Sequence, residues 1–226
     1  MTEIDKILSA AVGEDRKTLS EYESTRLLAN YDIPVAKATL VQNIEEARKA
    51  AGEIGYPVVL KVCSPGVSHK TEMGLVAVDL RTEADLELAF KRISQSSSIK
   101  DGGFLVQEMI KGDRELVMGL IRDPQFGPCV MFGLGGIFTE VLGDVSFRPA
   151  PLSESDAGEM IEEIKGHKIL GAIRGMEAVD ASLLTQSLLA IGRIGMDHEE
   201  ISAIDVNPLI VQGSRPVAVD ALVVLA

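Results

Sequence analysis

The chain has 226 residues, of which 46% are hydrophobic and 25% are charged, as in ordinary globular proteins. Its formal net charge of −12 excludes a general binder of nucleic acid or of anionic membranes, because such proteins present a basic surface. The first 20 residues are broken by charges and lack the apolar h-region typical of a signal peptide, and no apolar stretch approaches the length of a membrane span. Cys63 and Cys129 stand alone within apolar runs. We therefore expect a cytoplasmic protein that holds any polyanion in a local pocket.

The first part of the chain alternates between helical and strand-like patterns. Ser20 and Glu23 have the spacing of a capping box, which predicts a helix that begins there. Asn43 and Thr82 predict the starts of two further helices. Strands are predicted at 36–41, 56–63, 75–80 and 104–110. This order predicts a compact α/β lobe over residues 20–105.

The second part of the chain has a different pattern. Short apolar segments separated by Asp-Pro, Gly-Gly and Gly-Asp turns predict an antiparallel sheet, with strands at 114–121, 128–134, 136–142 and 145–150. Two helices are expected at 154–165 and 181–195, followed by a C-terminal hairpin that turns at 212–215. Residues 106–226, together with 1–19, are therefore expected to form a second lobe that closes with the first on a ligand.

Lys61 interrupts the apolar run Val58–Cys63. A strand covered on both faces holds an ammonium group only where an anion neutralises it, whereas an edge strand lets the lysine reach water. The strand alone leaves these two interpretations open. The loop at 64–74 favours the anion, because long loops within compact domains are usually functional.

This loop contains Gly66, His69 and Gly74. Glycines let a backbone approach phosphate oxygens closely, and neutral imidazole is a competent nucleophile towards phosphate. From spacing alone, however, a surface histidine without a role is the better-supported interpretation. The other histidines, His167 and His198, stand among charged residues and are expected to be solvated.

Two glutamates flank the predicted passage between the lobes. The strand end at Glu108, Met109 and Ile110 can offer backbone N–H and C=O groups to an adenine edge. The carboxylate of Glu115 can accept hydrogen bonds from ribose hydroxyls. Considered singly, each glutamate is more often a solvated surface residue.

The C-terminal hairpin gathers three oxygen-bearing side chains. If Val211 and Pro216 are partners beside the turn, then Asn207 faces Asp220 and Asp205 lies on the same face. Such hard oxygen ligands suit Mg²⁺, with a nucleotide supplying the remaining ligands. Three apolar residues are expected to share this face: Leu209, Leu222 and Val224. A metal site is therefore favoured over a solvent-facing side of the hairpin.

Five segments, in this order, resemble the ATP-grasp β subunit of ADP-forming acetyl-CoA synthetases, within the NDP-forming acyl-CoA synthetase family. They are SEYESTRLLANYDIPV, YPVVLKVCSPGVSHKTEMG, FLVQEMIKGDREL, GLGGIFTEVLGDVSFRPAPL and IDVNPLIV. The resemblance implies that residues 1–226 form a single ATP-grasp domain of the α/β (α+β) class. It also implies two lobes with the nucleotide in the cleft between them.

The resemblance further implies a role for each candidate residue. Asn207 and Asp220 would bind Mg²⁺, with Asp205 at the point of phosphoryl transfer. His69 would be a phosphohistidine that receives phosphate from a histidine on a partner α subunit and passes it to ADP. The residues implied to bind ATP or ADP are Lys61, Gly66, Glu108, Met109, Ile110 and Glu115.

The implied reaction is acyl-CoA + ADP + Pi ⇌ acid + ATP + CoA. Nothing in the chain resembles a CoA-binding Rossmann domain, so the CoA-binding and phosphohistidine domains are expected on the α subunit of an α2β2 heterotetramer. Two alternatives stay open at this point. One is an ATP-grasp carboxylate ligase of the succinyl-CoA synthetase type, which needs no His69, and the other is a module that senses nucleotide without turnover.

Overall fold

The computed structural model describes residues 2–65, 73–96, 102–136 and 143–226, and the chain divides into two compact units. The smaller unit contains residues 18–23 and 36–109. The larger unit contains residues 1–17, 24–35 and 110–226. No helix in the described ranges is long and apolar enough to cross a membrane.

Helices and strands are numbered here in chain order. The helices are α1 (Glu3–Gly13), α2 (Glu21–Asn30), α3 (Ile44–Ile54), α4 (Glu83–Ser96), α5 (Glu154–Glu163) and α6 (Ala181–Asp197), with a 3-10 turn at His167–Leu170. The first strands are β1 (Ala38–Val41), β2 (Val58–Cys63), β3 (Val76–Leu80), β4 (Gly103–Glu108) and β5 (Glu115–Asp123). The remaining strands are β6 (Gly127–Leu134), β7 (Val145–Pro149), β8 (Ile201–Gln212), β9 (Arg215–Ala218) and β10 (Ala221–Leu225).

The smaller unit is a four-stranded sheet in the order β1-β4-β2-β3. Every strand pair in it is antiparallel. Side chains alternate across a strand, so Val58, Leu60 and Val62 lie on one face, where they pack against α3 and α4. The rings of Phe90 and Phe104 join this core with their centroids 4.3 Å apart.

The helix starts predicted from the sequence are confirmed by their caps. Glu23 Oε2 accepts a hydrogen bond of 2.8 Å from the Ser20 N–H, and Ser20 Oγ accepts one of 3.3 Å from the Glu23 N–H. Asn43 Oδ1 accepts the Glu46 N–H at 2.9 Å. Each cap satisfies an N–H group that the first helical turn leaves without an intrahelical partner.

The larger unit is a six-stranded sheet in which β10, β8, β5, β6 and β7 follow one another and β9 pairs with β8. These strands are also paired antiparallel, which makes the fold α+β. Helices α5 and α6 contact β5, β6 and β7 over a core that includes Leu120, Val130 and Phe132. A Cβ atom at Gly195 would lie 2.3 Å from Leu120 Cδ1, so glycine lets α6 approach the sheet closely. The strand expected at 136–142 falls almost wholly outside the described residues.

The unit boundaries differ from those expected. Residues 24–35 belong to the larger unit, although the sequence placed them in a first lobe of residues 20–105. Their contacts explain this assignment, because Ser24 Oγ accepts a hydrogen bond from the Val223 N–H at 3.2 Å and Val35 forms a bridge with Ala218. At the other boundary, the smaller unit extends to Met109 because β4 runs on to Glu108.

A buried arginine ties three segments of the larger unit together. Arg114 Nη1 donates to the carbonyl oxygens of Ile169 and Gly171, each at 3.3 Å. Its Nη2 donates to Glu177 O at 2.7 Å and to Gly213 O at 3.0 Å. A guanidinium group has enough donors in one plane to satisfy all four carbonyls. Arg114 therefore holds the segment 169–177 against the turn between β8 and β9.

We expect the Arg114→Leu variant to lose about 3 kcal/mol of unfolding free energy, because four carbonyl groups lose a charged donor. Urea denaturation measures this loss. The control is Arg174→Leu, since Arg174 is exposed at a turn tip, and it should change stability by less than about 0.5 kcal/mol. Equal effects of the two substitutions would contradict the role given to Arg114.

Candidate functional site

Lys61 lies in β2, a central strand of the smaller sheet, and only 7% of the residue is exposed. The edge-strand interpretation is therefore wrong, and the alternative that a buried ammonium needs an anion is confirmed. The anion in the structure is a carboxylate, because Lys61 Nζ donates to Glu21 Oε1 at 2.7 Å. The Glu21 side chain is itself only 1% exposed, so the ion pair is shielded from water.

Sequence reasoning missed Glu21, although a signal for it was present. Positions 21, 24, 25 and 28 follow the spacing of one helical face. Leu28 marks this face as buried, and the structure buries Ser24 and Thr25 with it. A glutamate at the first position of a buried helical face predicts a buried cationic partner.

The loop that follows β2 carries two of the predicted residues. Gly66 and His69 lie outside the described residues. At the base of the loop, the Val62 N–H donates to Leu75 O at 3.0 Å, so the chain returns directly beside β2. Gly74 has a φ of 68°, which suits glycine in particular.

The expectation for the other two histidines is half right. His167 is exposed, as expected. The expectation of a solvated His198 is wrong, because its side chain is only 12% exposed and packs edge-on against Tyr31 at a ring-centroid distance of 6.1 Å. Burial and a hydrogen bond to Asp197 raise the pKa of Tyr31 above its ordinary value.

The strand end at 108–110 is held within the smaller unit by its own hydrogen bonds. The Glu108 N–H donates to Lys37 O at 2.8 Å, and Glu108 Oε1 accepts the Lys37 N–H at 2.8 Å. The Met109 N–H donates to Pro57 O at 3.3 Å. Glu108 therefore fixes the end of β4 against the chain at Lys37. Ile110 begins the larger unit and is buried.

Glu115 lies beside a glycine-rich turn in the larger unit. The Gly135 N–H donates to Glu115 O at 2.7 Å. Gly136 has a φ of 62°, and a Cβ atom there would lie 2.8 Å from Glu115 Oε2. Glycine at position 136 thus lets the backbone approach the carboxylate, and the exposed Glu115 remains open to a polar ligand.

The strand pairing confirms the register predicted for the C-terminal hairpin. Val211 pairs with Pro216, and Val206 pairs with Ala221. The strand pairing with β8 is interrupted at residues 219–220, between β9 and β10, but the register is the same before and after this interruption. Asp220 therefore lies opposite Asn207 of β8. Asp205 pairs with Leu222, two residues further along β8.

A bulge in β8 corrects one part of the prediction. Leu116 and Met118 of β5 pair with Leu209 and Val206, so β8 carries one more residue than β5 in this interval. The alternation of burial consequently changes phase, and Leu209 is buried whereas Asp205 and Asn207 are exposed. The expectation that Leu209 shares their face is therefore wrong.

Two carboxylates, those of Asp205 and Asp220, lie near the middle of β8. Asp205 remains accessible to water, yet the surrounding protein desolvates its carboxyl group and raises its pKa. Asp220 is half-buried, and its Oδ1 accepts the Ala221 N–H at 2.9 Å. The described part of the chain contains no cluster of three or more His, Cys, Asp or Glu residues with metal-binding geometry. A cation here would need Asn207 and further ligands from a bound molecule.

Comparison with known proteins adds family evidence to this geometry. A family model described as an ATP-grasp domain matches residues 10–225. The chain is 42% identical over 225 residues to the β subunit of acetate–CoA ligase [ADP-forming] I from Pyrococcus furiosus, covering 97% of each chain. It is 43% identical over 208 residues to acetate–CoA ligase [ADP-forming] I from Archaeoglobus fulgidus, covering 90% of this chain and 30% of that protein.

Solved structures agree with the sequence relatives. A chain of the dinucleotide-forming acetyl-coenzyme A synthetase 1 from Ca. Korarchaeum cryptofilum matches with a TM-score of 0.94 and 45% identity, covering 98% of this chain and 99% of that one. Another structure of that enzyme contains coenzyme A and Mg-AMPPCP, with a phosphohistidine segment pointing towards the nucleotide site. It matches with a TM-score of 0.89 and 44% identity over 99% of this chain and 100% of that one.

We expect Asp205→Asn to stabilise the protein at pH 7 in buffer that contains a chelator. Because the folded state raises the pKa of Asp205, its contribution to stability is present below the ordinary value of 3.8 and is lost as the pH rises through the raised pKa. Urea denaturation across pH should show a gain below about 1 kcal/mol at neutral pH, since water still screens the carboxylate. The gain should vanish in acid, and a gain that persists there would contradict this explanation.

Proposed function

Because the chain belongs to the ATP-grasp family over residues 10–225, we propose that it is the nucleotide-binding β subunit of an ADP-forming acyl-CoA synthetase. The reaction is acyl-CoA + ADP + Pi ⇌ acid + ATP + CoA. Our chain would catalyse the phosphoryl transfer to and from the nucleotide, and a partner α subunit would carry the CoA chemistry.

The observation that carries this proposal is the end-to-end match with a separate β subunit. The alignment covers 97% of both chains in the Pyrococcus furiosus relative. In the Archaeoglobus fulgidus relative the matched part is 30% of a longer protein, so an equivalent domain is joined there to additional polypeptide. This difference supports a partner subunit for our chain, and we propose an α2β2 assembly.

Six residues are assigned to nucleotide contacts, and each unit is considered by itself. In the smaller unit we assign phosphate contacts to Lys61 and Gly66, and adenine contacts to the backbone at Glu108 and Met109. The Lys61 side chain supports a phosphate contact, because an ammonium group has three N–H donors and can serve a phosphate oxygen as well as Glu21.

In the larger unit we assign the continuation of the adenine contact to Ile110 and the ribose contact to Glu115. The open carboxylate of Glu115, lying against the backbone of Gly136, supports the second assignment. A carboxylate is an acceptor only, and so it suits the hydroxyl groups of a sugar.

The residues at the bulge of β8 fit a magnesium ion. Asn207 and Asp220 lie at opposed positions and provide an amide and a carboxylate oxygen, which are ligands that Mg²⁺ prefers. Asp205 lies nearby and would stand at the point of phosphoryl transfer. When bound, Mg²⁺ would neutralise charge on the nucleotide phosphates.

We propose His69 as the group that relays the phosphoryl group. In the direction of ATP synthesis, an imidazole nitrogen of His69 attacks the phosphorus of a phosphohistidine on the α subunit. A new N–P bond forms, and the partner nitrogen keeps the electron pair of the bond that breaks. A terminal oxygen of ADP then attacks the phosphorus on His69, forming ATP and returning the electron pair to the imidazole. Lys61 would stabilise the charge on the transferred group.

The cytoplasm is the compartment that we propose. Both cysteines are present as reduced thiols, and Cys63 is buried in β2. Free thiols are the common state in reducing compartments.

We expect Asp220→Ala to reduce Mg²⁺-dependent phosphoryl transfer by about 100-fold or more, because it removes one of few protein ligands for the cation. Transfer of labelled phosphate from ATP measures the effect, and a thermal melt checks that the variant is folded. The matched control is Glu53→Ala, which removes an exposed carboxylate from α3 and should leave the rate unchanged. Retained transfer in Asp220→Ala at millimolar Mg²⁺ would contradict the metal assignment.

The reconstituted enzyme tests the whole proposal. With the α subunit, acetyl-CoA, ADP and phosphate, the chain should make ATP and acquire an acid-labile, base-stable phosphate on His69. The variant His69→Asn keeps a similar size but cannot form an N–P bond, so nucleotide binding should persist while ATP formation stops.

The control for this experiment is His167→Asn, because His167 is exposed and should be dispensable. Mass spectrometry locates the phosphate. ATP formation by His69→Asn, or phosphate found only on another histidine, would support the direct transfer expected for an enzyme of the succinyl-CoA synthetase type.

A further inference from the structure

The Lys61–Glu21 ion pair occupies the donor that the proposed function assigns to nucleotide phosphate. Lys61 Nζ lies 2.7 Å from Glu21 Oε1, and the exposed fractions of the two side chains are 9% and 1%. Removing either charge from water is expensive, and the close contact offsets that cost. The protein without nucleotide therefore carries its own counter-anion for Lys61.

The structure fixes the Glu21 carboxylate in this place. Glu21 is the first residue of α2, directly after the capping box in which Ser20 binds Glu23. The side chain lies on the same buried helical face as Ser24 and Leu28. Burial of this face holds the first turn of α2, and so the carboxylate stays beside Lys61.

A phosphate group that approaches Lys61 therefore meets a second anion. An ammonium group has three N–H donors, so it can serve a carboxylate and a phosphate oxygen at once. The two anions nevertheless repel each other, and this repulsion is strong where water is excluded. Binding of nucleotide is weaker by the energy of that repulsion.

We propose that Glu21 acts as an internal competitor of the nucleotide phosphates, holding Lys61 in position while lowering the affinity of the site so that nucleotide can leave after phosphoryl transfer. This inference rests on the proposed contact between Lys61 and nucleotide. Glu21 is a positioning residue here, because it acts through Lys61.

Replacing Glu21 by glutamine separates charge from shape. Glutamine keeps the length of the side chain and an oxygen that accepts a hydrogen bond from Lys61. The protein without nucleotide then loses the negative charge that lies 2.7 Å from Lys61 Nζ and is destabilised. Bound phosphate restores the missing negative charge, so the complex is destabilised less. By linkage, Glu21→Gln must bind phosphate-bearing nucleotides more tightly.

Calorimetric titration of the full chain with Mg·ADP, Mg·ATP, AMP and adenosine tests this inference. We expect Glu21→Gln to bind Mg·ADP and Mg·ATP about tenfold more tightly than the unmodified chain, from the loss of one like charge. The gain should be smaller for AMP and absent for adenosine. A merely structural role for Glu21 would not produce this dependence on phosphate charge.

Two control variants accompany the experiment. Glu21→Asp keeps the charge, and its affinity for Mg·ADP should stay within about twofold of the unmodified chain. Glu23→Gln removes the same charge from the same helical turn, but Glu23 binds the cap at Ser20. It should leave nucleotide affinity unchanged although it weakens the cap.

The outcomes separate this inference from the proposed function. The inference is overturned if Glu21→Gln binds Mg·ADP with the same or a lower affinity than the unmodified chain. It is also overturned if the substitution raises the affinity for adenosine as much as the affinity for Mg·ADP. If Glu21→Gln does not fold alone, saturating Mg·ADP must restore its fold, and failure to do so also overturns the inference. By contrast, unchanged affinity of Lys61→Ala for nucleotide would overturn the proposed phosphate contact itself.

Discussion

A positive charge in the middle strand of the smaller sheet is the constraint on which the rest of that unit depends. Transfer of an ammonium group out of water costs several kcal/mol, so the strand is stable only if an anion lies beside it. Glu21, forty residues away in sequence, provides that anion. This requirement explains why the first turn of α2 belongs to the smaller unit, although Ser24 and the rest of the helix pack in the larger one.

The larger unit satisfies a different pair of requirements in β8. Val206 and Leu209 must both be buried, whereas Asp205 and Asn207 must reach a polar ligand. Strict alternation of side chains cannot meet both demands, because a residue three positions on lies on the opposite face. The extra residue in β8 resolves the conflict, and it does so at the position where the oxygen-bearing side chains lie.

Local signals in the sequence were sufficient for much of this fold. The caps at Ser20 and Asn43 and the pairing of Val211 with Pro216 depend on neighbouring residues, and each was predictable. The pairing of Lys61 with Glu21 depends on tertiary contact, although helical spacing indicated a buried glutamate. The bulge was not predictable from the hairpin, since it arises against β5, a strand far away in sequence.

The sequence predicted which side chains face each other in the candidate site, but not the environment of each side chain. The register of the hairpin gave the opposed Asn207 and Asp220, because pairing propagates from the turn. It could not give the raised pKa of Asp205, which depends on atoms from the whole surrounding fold.

The interleaved path of the chain also determines the order in which the two units can be completed during synthesis. The smaller unit is complete once residue 109 has emerged, whereas Lys17 must wait for Leu225 of the last strand to supply its hydrogen-bond donor. The larger unit thus closes on its own beginning only after the whole of the smaller unit has been synthesised.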